Sequence, residues 1–520
     1  MTSRAQRPDH TASSPPTPEP NVVVPNNTHP QWWKDPGMRR LNFLLLTCYL
    51  GAIANGYASS LISSLLTNPR WLADLPGLSN VTLLGLVVAA HPLGCIAAFL
   101  PAPWLSDTFG RRAGILFGNV CMTAAVLGQV FCRTAAQFLG LRLVAGFASI
   151  FNTISSAALL LELAHPRQRA VAGALFNTFF FVGSMAAAWT AYGALRLASS
   201  WSWRLPVAVQ MCFTVAQLVL LVSCPESPRW YAMNKNAAQA KVVLEKFHAN
   251  GHTDDALVQV ELSEMCAPTE LEHHSRNTGW TALISTPGNR KRLVLSVAIG
   301  VATQWVGNGV ITFYLAPVLR TVGITSAFRQ QGINGGLQIY NWILACSAAL
   351  LAERAGRRRL FLASAGTMLL FMALVTACSA TYAATRSVAA GYAVVVFLFL
   401  FLGGYVIGLT PIPILYVNEI WPSALRAKGT SVFWVAQAGA TCFNQYVNPI
   451  ALQRMVWRYY LVYVGVLVAV GVFMFFCVPE TKGLSLEEVS GIFDRKEEVD
   501  DVVLHGIGSR DRDRASRVSV

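Results

Sequence analysis

Acidic and arginine side chains recur in this sequence in short motifs that could form ion pairs. One motif has the pattern acid-x-x-Gly-Arg-Arg, a second places an acid seven residues before an arginine, and each occurs once in either half of the chain. The residues concerned are Asp107, Arg111, Arg112, Glu162, Arg169, Glu353, Arg357, Arg358, Glu419 and Arg426. Ion pairs are strong where water is partly excluded, so we expect gate contacts that pair across two halves and break when the molecule changes state.

No catalytic or metal-binding pattern accompanies these motifs. The eleven cysteines form no C-x-x-C pair and have no close histidine partner, so neither a zinc site nor a disulfide framework is expected. No apolar segment has a carboxylate near its middle. His91 could titrate, but beside Pro92 we interpret it as a packing residue. The sequence therefore predicts neither an enzyme nor a cofactor.

Long apolar segments must position the charged motifs. The chain has 520 residues, of which 54% are hydrophobic and 13% charged, well below the usual charged fraction of about 25% in soluble domains. A membrane-crossing helix needs about 20 mostly apolar residues, and twelve such segments can be drawn. These spans 1 to 12 run over 41–63, 82–104, 113–132, 138–161, 171–193, 205–224, 293–317, 331–352, 360–382, 388–416, 428–449 and 457–478.

The distribution of basic residues predicts the orientation of the spans. Of the 40 lysines and arginines, 30 lie in the tails and in the loops on the same side, and 9 lie on the opposite side. Basic residues favour the cytosolic side, so we expect both termini in the cytosol and place the protein in the plasma membrane. Membrane topology thus explains the net charge of +14, and no nucleic-acid partner is expected. The sequon at Asn80 abuts span 2 and is expected to be unmodified.

The duplicated motifs predict an all-α polytopic membrane protein with twelve transmembrane helices in two six-helix bundles. Pro225-Glu-Ser after span 6 also returns as Pro479-Glu-Thr after span 12. Three matches in the same order indicate parallel repeats. The predicted regions are a disordered cytosolic tail (1–40), a first bundle (41–224), a cytosolic linker with short helices (225–292), a second bundle (293–478) and a cytosolic tail (479–520).

The ordered motifs resemble the sugar porter family of the major facilitator superfamily. The matching stretches extend from span 1 to Glu488 and are Asp107-Thr-Phe-Gly-Arg-Arg112, Pro225-Glu-Ser-Pro-Arg-Trp230, Gln304-Trp-Val-Gly307, Glu353-Arg-Ala-Gly-Arg-Arg358, Glu419-Ile-Trp-Pro-Ser-Ala-Leu-Arg-Ala-Lys-Gly429 and Pro479-Glu-Thr-Lys-Gly483. Within the family, the segments around Phe176, Gln304 and Phe443 look like the fungal lactose permease and cellodextrin transporter branch.

The resemblance implies a solute site in a cavity near the membrane midplane. Amides suit sugar hydroxyls because they both donate and accept hydrogen bonds. The residues implied as substrate-binding are Asn177, Gln304, Asn308, Asn341, Gln437 and Asn444. Thr303, Gly309 and Ile414 depart from the family pattern and indicate an altered pocket.

The resemblance also bears on energy coupling. Proton-linked members of the family carry an aspartate in span 1 near an arginine in span 4. Here the aspartate position is Ala58, whereas the arginine is retained as Arg142. Alanine cannot titrate, so the resemblance implies facilitative transport.

These observations lead to one hypothesis with two alternatives. We expect a monomeric transporter in the lipid bilayer that carries a sugar, either a hexose or a disaccharide of the lactose or cellobiose type, by alternating access. The same fold could instead carry a non-sugar metabolite. A sensor that binds sugar without transporting it is the third interpretation.

Overall fold

The structure is a computed structural model that describes residues 28–29, 31–253, 255–266, 279–422, 425–482 and 486–493. Every regular element within these ranges is a helix, which confirms the predicted all-α fold class. Most of the two predicted tails, residues 1–27 and 494–520, and residues 267–278 of the linker lie outside the described part of the chain.

Six long helices form the first half. They are Pro36–Leu65, Val81–Ala98, Arg111–Phe131, Ala135–Leu163, Pro166–Ala194 and Trp201–Ser223, and they correspond in order to spans 1 to 6. Two short helices, Pro69–Asp74 and Pro101–Phe109, lie between them. Span 1 begins and span 12 ends at the same end of the molecule, which we call the inner end. The opposite end is the outer end.

The second half repeats this arrangement with two interrupted spans. Span 7 consists of two helices separated at Val306 and Gly307, and span 10 consists of two helices separated by residues 409–411. The helices of spans 7 to 12 are Pro287–Trp305 with Asn308–Thr321, Ala327–Ala355, Arg357–Thr385, Val388–Gly408 with Ile412–Ile420, Arg426–Met455, and Tyr459–Cys477. Gly307 has a φ of 98°, a left-handed conformation that side chains disfavour, so the break in span 7 requires glycine.

Span 1 begins five residues before its predicted start at Leu41. Asp35 accepts a hydrogen bond from the Met38 amide at 2.9 Å, and Pro36 occupies the first helical position, where its missing N–H costs nothing. Arg39 and Arg40 lie in the first turns and are exposed, so apolarity alone places the start of the helix too late.

Hydropathy identifies eleven of the twelve spans in the described residues. Ten stretches are long and apolar enough to cross a membrane, and one of them, Arg426–Cys477, contains both span 11 and span 12. Span 8 is not among the ten. It carries five amide side chains, at Gln330, Gln331, Asn334, Gln338 and Asn341, which make it more polar than its neighbours.

Each half is built around its own buried apolar side chains. One cluster extends from Leu283 to Phe493, and the clusters of the first half lie between Leu41 and Phe247, with Tyr314 and Phe313 of span 7 packed against one of them. Glycines allow close helix packing in the first half, as is common in membranes. A β-carbon on Gly146 of span 4, for example, would clash with the His91 carbonyl oxygen of span 2.

Short helices connect the two halves. Those described between spans 6 and 7 are Pro228–Met233, Ala237–His248, Ala256–Cys266 and Ala282–Ser285. Glu261 anchors this linker to the inner end of the first half. Its carboxylate lies 3.3 Å from the Arg169 guanidinium of span 5 and 2.7 Å from His248 Nδ1, whose ring also contacts the Leu163 carbonyl at 3.1 Å.

Candidate functional site

Polar side chains join spans 7 and 11 in the middle of the second half. Gln437 Nε2 donates to Thr303 Oγ1 at 3.2 Å, and the Thr303 hydroxyl donates to the Gly300 carbonyl. Asn444 Nδ2 donates to the Gln304 carbonyl at 2.7 Å. Because the first helix of span 7 ends at Trp305, that carbonyl lacks its usual helical partner, and Asn444 satisfies it.

A tyrosine pair from span 12 fixes the orientation of Asn444. The Tyr463 hydroxyl lies 3.3 Å from Asn444 Oδ1, 2.6 Å from Asn448 Oδ1 and 2.8 Å from the Tyr459 hydroxyl. Asn444 is therefore held on both its oxygen and its nitrogen by the protein. The predicted substrate-binding residue Asn444 thus also supports the break in span 7.

The other predicted amides have fewer partners within the protein. Asn308 Oδ1 and Asn341 Oδ1 are buried and have no hydrogen-bond partner in the described part of the structure. Gln304 is half-buried and Asn177 exposed, and the structure describes no hydrogen bond from either side chain. Buried polar atoms are nearly always hydrogen-bonded in proteins, so these amides are available to a polar solute or to water. No described hydrogen bond joins Asn177 or Asn341 to the group formed by spans 7 and 11.

Arg142 lies buried beside Ala58 in the first half. Only 4% of its surface is exposed, and its Nη1 lies 3.4 Å from the Ala58 carbonyl, a long hydrogen bond. No partner of its Nε is found in the described part of the chain. His91 and Cys95 of span 2 pack against the next turn of span 4, where Cys95 Sγ contacts the Gly146 carbonyl at 3.4 Å. His91 is buried as well, and its Nε2 has no partner.

The inner end of the first half contains a dense ion-pair network around Arg111. Its guanidinium contacts both oxygens of Glu162 at 3.0 and 3.1 Å and Asp107 Oδ1 at 2.6 Å. Glu226, after span 6, accepts hydrogen bonds from the Arg111 and Arg112 amides at 3.1 and 3.0 Å. A carboxylate at this position satisfies the free N–H groups at the start of span 3 and opposes the helix dipole.

The second half repeats the main contacts of this network. Arg357 contacts Glu419 Oε1 at 2.8 Å, and Glu480 accepts from the Arg357 and Arg358 amides at 2.9 and 3.2 Å. The Thr481 hydroxyl donates to Glu419 Oε2 at 2.5 Å. The sequence duplication is therefore also a duplication of contacts.

The two capping glutamates differ in their electrostatics. Burial raises the pKa of Glu226, although hydrogen bonds from the Ser227, Arg112 and Arg111 amides partly offset this effect. Burial also acts to raise the pKa of Glu480, but hydrogen bonds from four backbone amides outweigh it and lower the pKa overall. The difference follows exposure, since Glu226 is 7% exposed and Glu480 is only half-buried.

The expected pairing of gate residues across the halves is not what the structure shows. Arg111 and Arg357 pair within their own halves, because the ends of the helices that carry the acids and the arginines meet inside each bundle. Arg169 pairs with Glu261 of the linker rather than with Glu162. No ion pair of Arg426 is described, and the side chain of Glu353 lies outside the described residues.

Hydrogen bonds do cross between the halves at the outer end. Gln331 of span 8 accepts from the Thr67 hydroxyl at 2.9 Å and donates to Ser64 Oγ at 3.0 Å and to the Ala188 carbonyl at 2.8 Å. Arg320 also donates to the Leu66 carbonyl at 3.1 Å. These contacts join the two halves at the outer end.

The outer cluster and the two capping glutamates were not among the site residues predicted from sequence. The concentration of amides at the start of span 8 is the sequence feature that indicates the outer cluster. The returning Pro-Glu-Ser and Pro-Glu-Thr motifs, which were used only to identify the duplication, are a signal for Glu226 and Glu480.

The sequence as a whole matches a known family. The family profile described as Sugar (and other) transporter covers residues 44–493. The chain belongs to this family. It is therefore an integral membrane sugar transporter of the sugar porter type, and not an enzyme.

Relatives agree with this assignment at moderate similarity. Hexose transporter 2 of Kluyveromyces lactis is 26% identical over 428 residues, which cover 80% of this chain and 75% of the relative. Sugar transporter STL1 of Saccharomyces cerevisiae is 26% identical over 483 residues, which cover 89% of this chain and 82% of the relative.

Solved structures show the same fold. The inward open conformation of the xylose transporter XylE from E. coli superposes with a TM-score of 0.72 at 21% identity, covering 87% of this chain and all of the other. The predicted major facilitator fold with two six-helix bundles is thus confirmed.

Proposed function

We propose that this sugar porter carries a hexose or a disaccharide down its gradient by alternating access. The observation that carries the proposal is the set of mid-membrane amides on spans 7, 8 and 11, several of which have polar atoms without a partner among the residues that the structure describes. Each net hydrogen bond to a hydroxyl contributes about 0.5–1.5 kcal/mol, so a few of them give the modest affinity that a carrier needs to release its solute.

The proposed solute contacts are the six amides predicted from the sequence. Gln304, Asn308 and Asn341 are the strongest candidates, because their side chains have a free oxygen or no described bond at all. Gln437 is engaged by Thr303 and would have to share its amide with the solute. We assign Asn444 a shared role in binding and in supporting the broken helix, and Asn177 the contact from the first half.

The proposed motion is a rocking of residues 41–224 against residues 293–478, linked by residues 225–292. The inner networks around Arg111 and Arg357 keep the helices of each half together during this motion. The Gln331 cluster holds the outer ends closed and must break for the outer side to open. We thus assign the motifs at the inner end to holding each bundle together. We assign the gate at the outer end to the amides of span 8.

Facilitative transport is proposed because a titrating acid is missing where coupling would need one. Linkage between proton and solute requires a group that changes charge at working pH. Ala58, next to Arg142, cannot supply it. We place the carrier in the plasma membrane as a monomer with both termini in the cytosol, and among fungal transporters nearest to the lactose permease and cellodextrin branch.

Uptake measurements in a host without sugar transporters test this proposal. Radiolabelled hexoses and disaccharides should equilibrate across the membrane without exceeding the external concentration, and a protonophore should leave the initial rate unchanged. Accumulation that a protonophore abolishes would show proton coupling. Binding of a sugar without uptake would identify a sensor, and uptake of none of the sugars would favour a non-sugar metabolite.

A further inference from the structure

The Arg142 guanidinium is a buried charge without a counter-charge in the first half. One long hydrogen bond to the Ala58 carbonyl is its only described polar contact with the protein. Five N–H groups of arginine can donate, and its charge persists at any working pH because arginine does not deprotonate in proteins. Charged residues inside membrane bundles are costly and normally pair with an opposite charge or with backbone carbonyls.

Every acid of the first half is engaged elsewhere. Between Leu41 and Ser223 the sequence contains three acids, and the structure describes all of this range. Asp74 accepts from the Trp203 indole at 2.8 Å. Asp107 and Glu162 both pair with Arg111 at the inner end. The two neighbours from span 2, His91 and Cys95, carry no negative charge that could compensate Arg142.

Counting residues from the outer ends of the helices gives Arg142 about the same depth as a polar atom of the other half for which no partner is described. It lies seven residues inside the outer end of span 4, which begins at Ala135, or about 10 Å along the helix axis. Asn448, for whose Nδ2 the structure describes no partner, lies seven residues inside the outer end of span 11. Spans 2 and 11 are in contact, since a β-carbon on Gly85 would lie 2.8 Å from the Tyr446 carbonyl oxygen.

We propose that Arg142 binds the carboxylate of the carried solute, and that the substrate class is therefore sugar acids such as uronates. An arginine fork matches a carboxylate through two parallel hydrogen bonds, and the pairing is strongest where water is excluded. The hydroxyls of the same molecule suit the amides of the second half. This inference rests on the proposed function, which it narrows from sugars in general to sugars that carry a negative charge.

Thermal unfolding of the purified full-length chain with matched ligands tests the inference. Sodium glucuronate and sodium galacturonate replace sodium chloride at constant sodium concentration, and glucose and galactose serve as their neutral counterparts. We expect the uronates to raise the melting temperature and to bind roughly tenfold more tightly than the neutral sugars, as one charged hydrogen-bonded pair allows.

Two variants of equal size separate charge from packing. Ala58→Asp places a carboxylate beside Arg142, whereas Ala58→Asn adds an uncharged group of the same shape. The measured quantity is the ratio of uronate affinities in the two variants. We expect the Asp variant to bind uronates at least roughly tenfold more weakly than the Asn variant, with equal affinity of the two for glucose.

Four results would overturn the inference. Uronates that bind no better than neutral sugars would refute it while leaving sugar transport intact. Equal uronate affinity in the Asp and Asn variants would show that the Arg142 charge is not involved. Equal stabilisation by chloride would assign the site to an inorganic anion. If neither uronates nor neutral sugars bind or enter cells, the proposed function fails together with the inference.

Discussion

Amides in the central region differ in what they contact, and this decides what each can do. Asn444 holds the carbonyl of Gln304 and receives the Tyr463 hydroxyl, so most of its bonding capacity is used inside the protein. The side chain of Gln304 itself has no described hydrogen bond, and Asn341 has a free oxygen. All three side chains are amides, but we expect them to contribute differently to solute binding and to stability.

Replacing Gln304 or Asn341 by alanine should weaken solute binding. Each change removes an amide worth about 0.5–1.5 kcal/mol per net hydrogen bond, which is a two- to tenfold rise in KM. Surface expression and melting temperature should stay near the wild-type values. Initial uptake rates over a range of solute concentrations provide the measurement. Unchanged kinetics in both variants would assign these amides to helix packing.

Asn444→Ala should instead lower stability. It leaves the Gln304 carbonyl without its partner at the break of span 7, and an unsatisfied buried group costs about 1–3 kcal/mol. The melting temperature of the purified protein should therefore fall, unlike that of the Gln304 and Asn341 variants. A variant with wild-type stability and a raised KM would show that Asn444 acts mainly on the solute.

At the level of elements, helix ends at the inner side are held by carboxylates from distant parts of the chain. Glu226 caps the start of span 3 and Glu480 caps the start of span 9, in each case after a glycine with positive φ, Gly110 or Gly356. The two glutamates differ in burial, so their contributions to stability depend on pH with opposite sign.

The glutamine variants of the two caps should respond differently to pH. The pKa of Glu480 is lowered, so its ionised form adds stability above its ordinary pKa of 4.5, and this stability is lost as the pH falls through the lower folded-state value. The pKa of Glu226 is raised, so its ionised form is disfavoured in the folded protein. Its contribution to stability therefore declines as the pH rises through the folded-state pKa. At neutral pH, Glu480→Gln should lower the melting temperature more than Glu226→Gln. The reverse order would contradict this electrostatic assignment.

The linker should detach when its anchor is removed. Glu261 is 5% exposed and contacts both Arg169 and His248, so Glu261→Gln replaces the charge that holds Ala256–Cys266 to the first half. We expect faster proteolysis within the linker, measured on the purified protein. Glu264→Gln, an exposed position one turn later in the same helix, is the matched control and should leave the cleavage rate unchanged.

At the level of the whole molecule, the two bundles are held together at the outer end and contain separate ion-pair networks at the inner end. Gln331 alone makes three hydrogen bonds to the first half. In an alternating carrier, contacts that exist in only one state set the balance between states.

Gln331→Ala should shift the balance toward the outward-open state. Loss of three bonds removes roughly 1.5–4.5 kcal/mol, enough to change the populations about tenfold or more. Spin labels at the exposed positions Ser199 and Ser326, in a background without native cysteines, should report a longer distance. Gln330→Ala is the control, because the neighbouring Gln330 bonds only to the Ile324 carbonyl of its own half. Equal shifts in both variants would remove Gln331 from the gate.

Hydrophobic length is a property of neighbouring residues and is sufficient to predict twelve spans and their order. The repeated acid, arginine and Pro-Glu motifs, which are also local in sequence, predict the internal duplication. The end of a helix depends on a few polar atoms, which is why the start of span 1 at Pro36 was placed at Leu41. Span 8 was also predicted from sequence, but the reason for its many amides was not visible there.

The partner of each charged or polar side chain depends on how separate helices face each other. Arg111 meets Glu162 across 51 positions of sequence, and Arg169 contacts Glu261 of the linker, whereas the sequence led us to expect pairs across the two halves. The different roles of Asn444 and Gln304, and the closure by Gln331, likewise follow from packing between spans. Residue types restrict which contacts can form, and the three-dimensional arrangement selects among them, because contact energies fall off within a few ångströms.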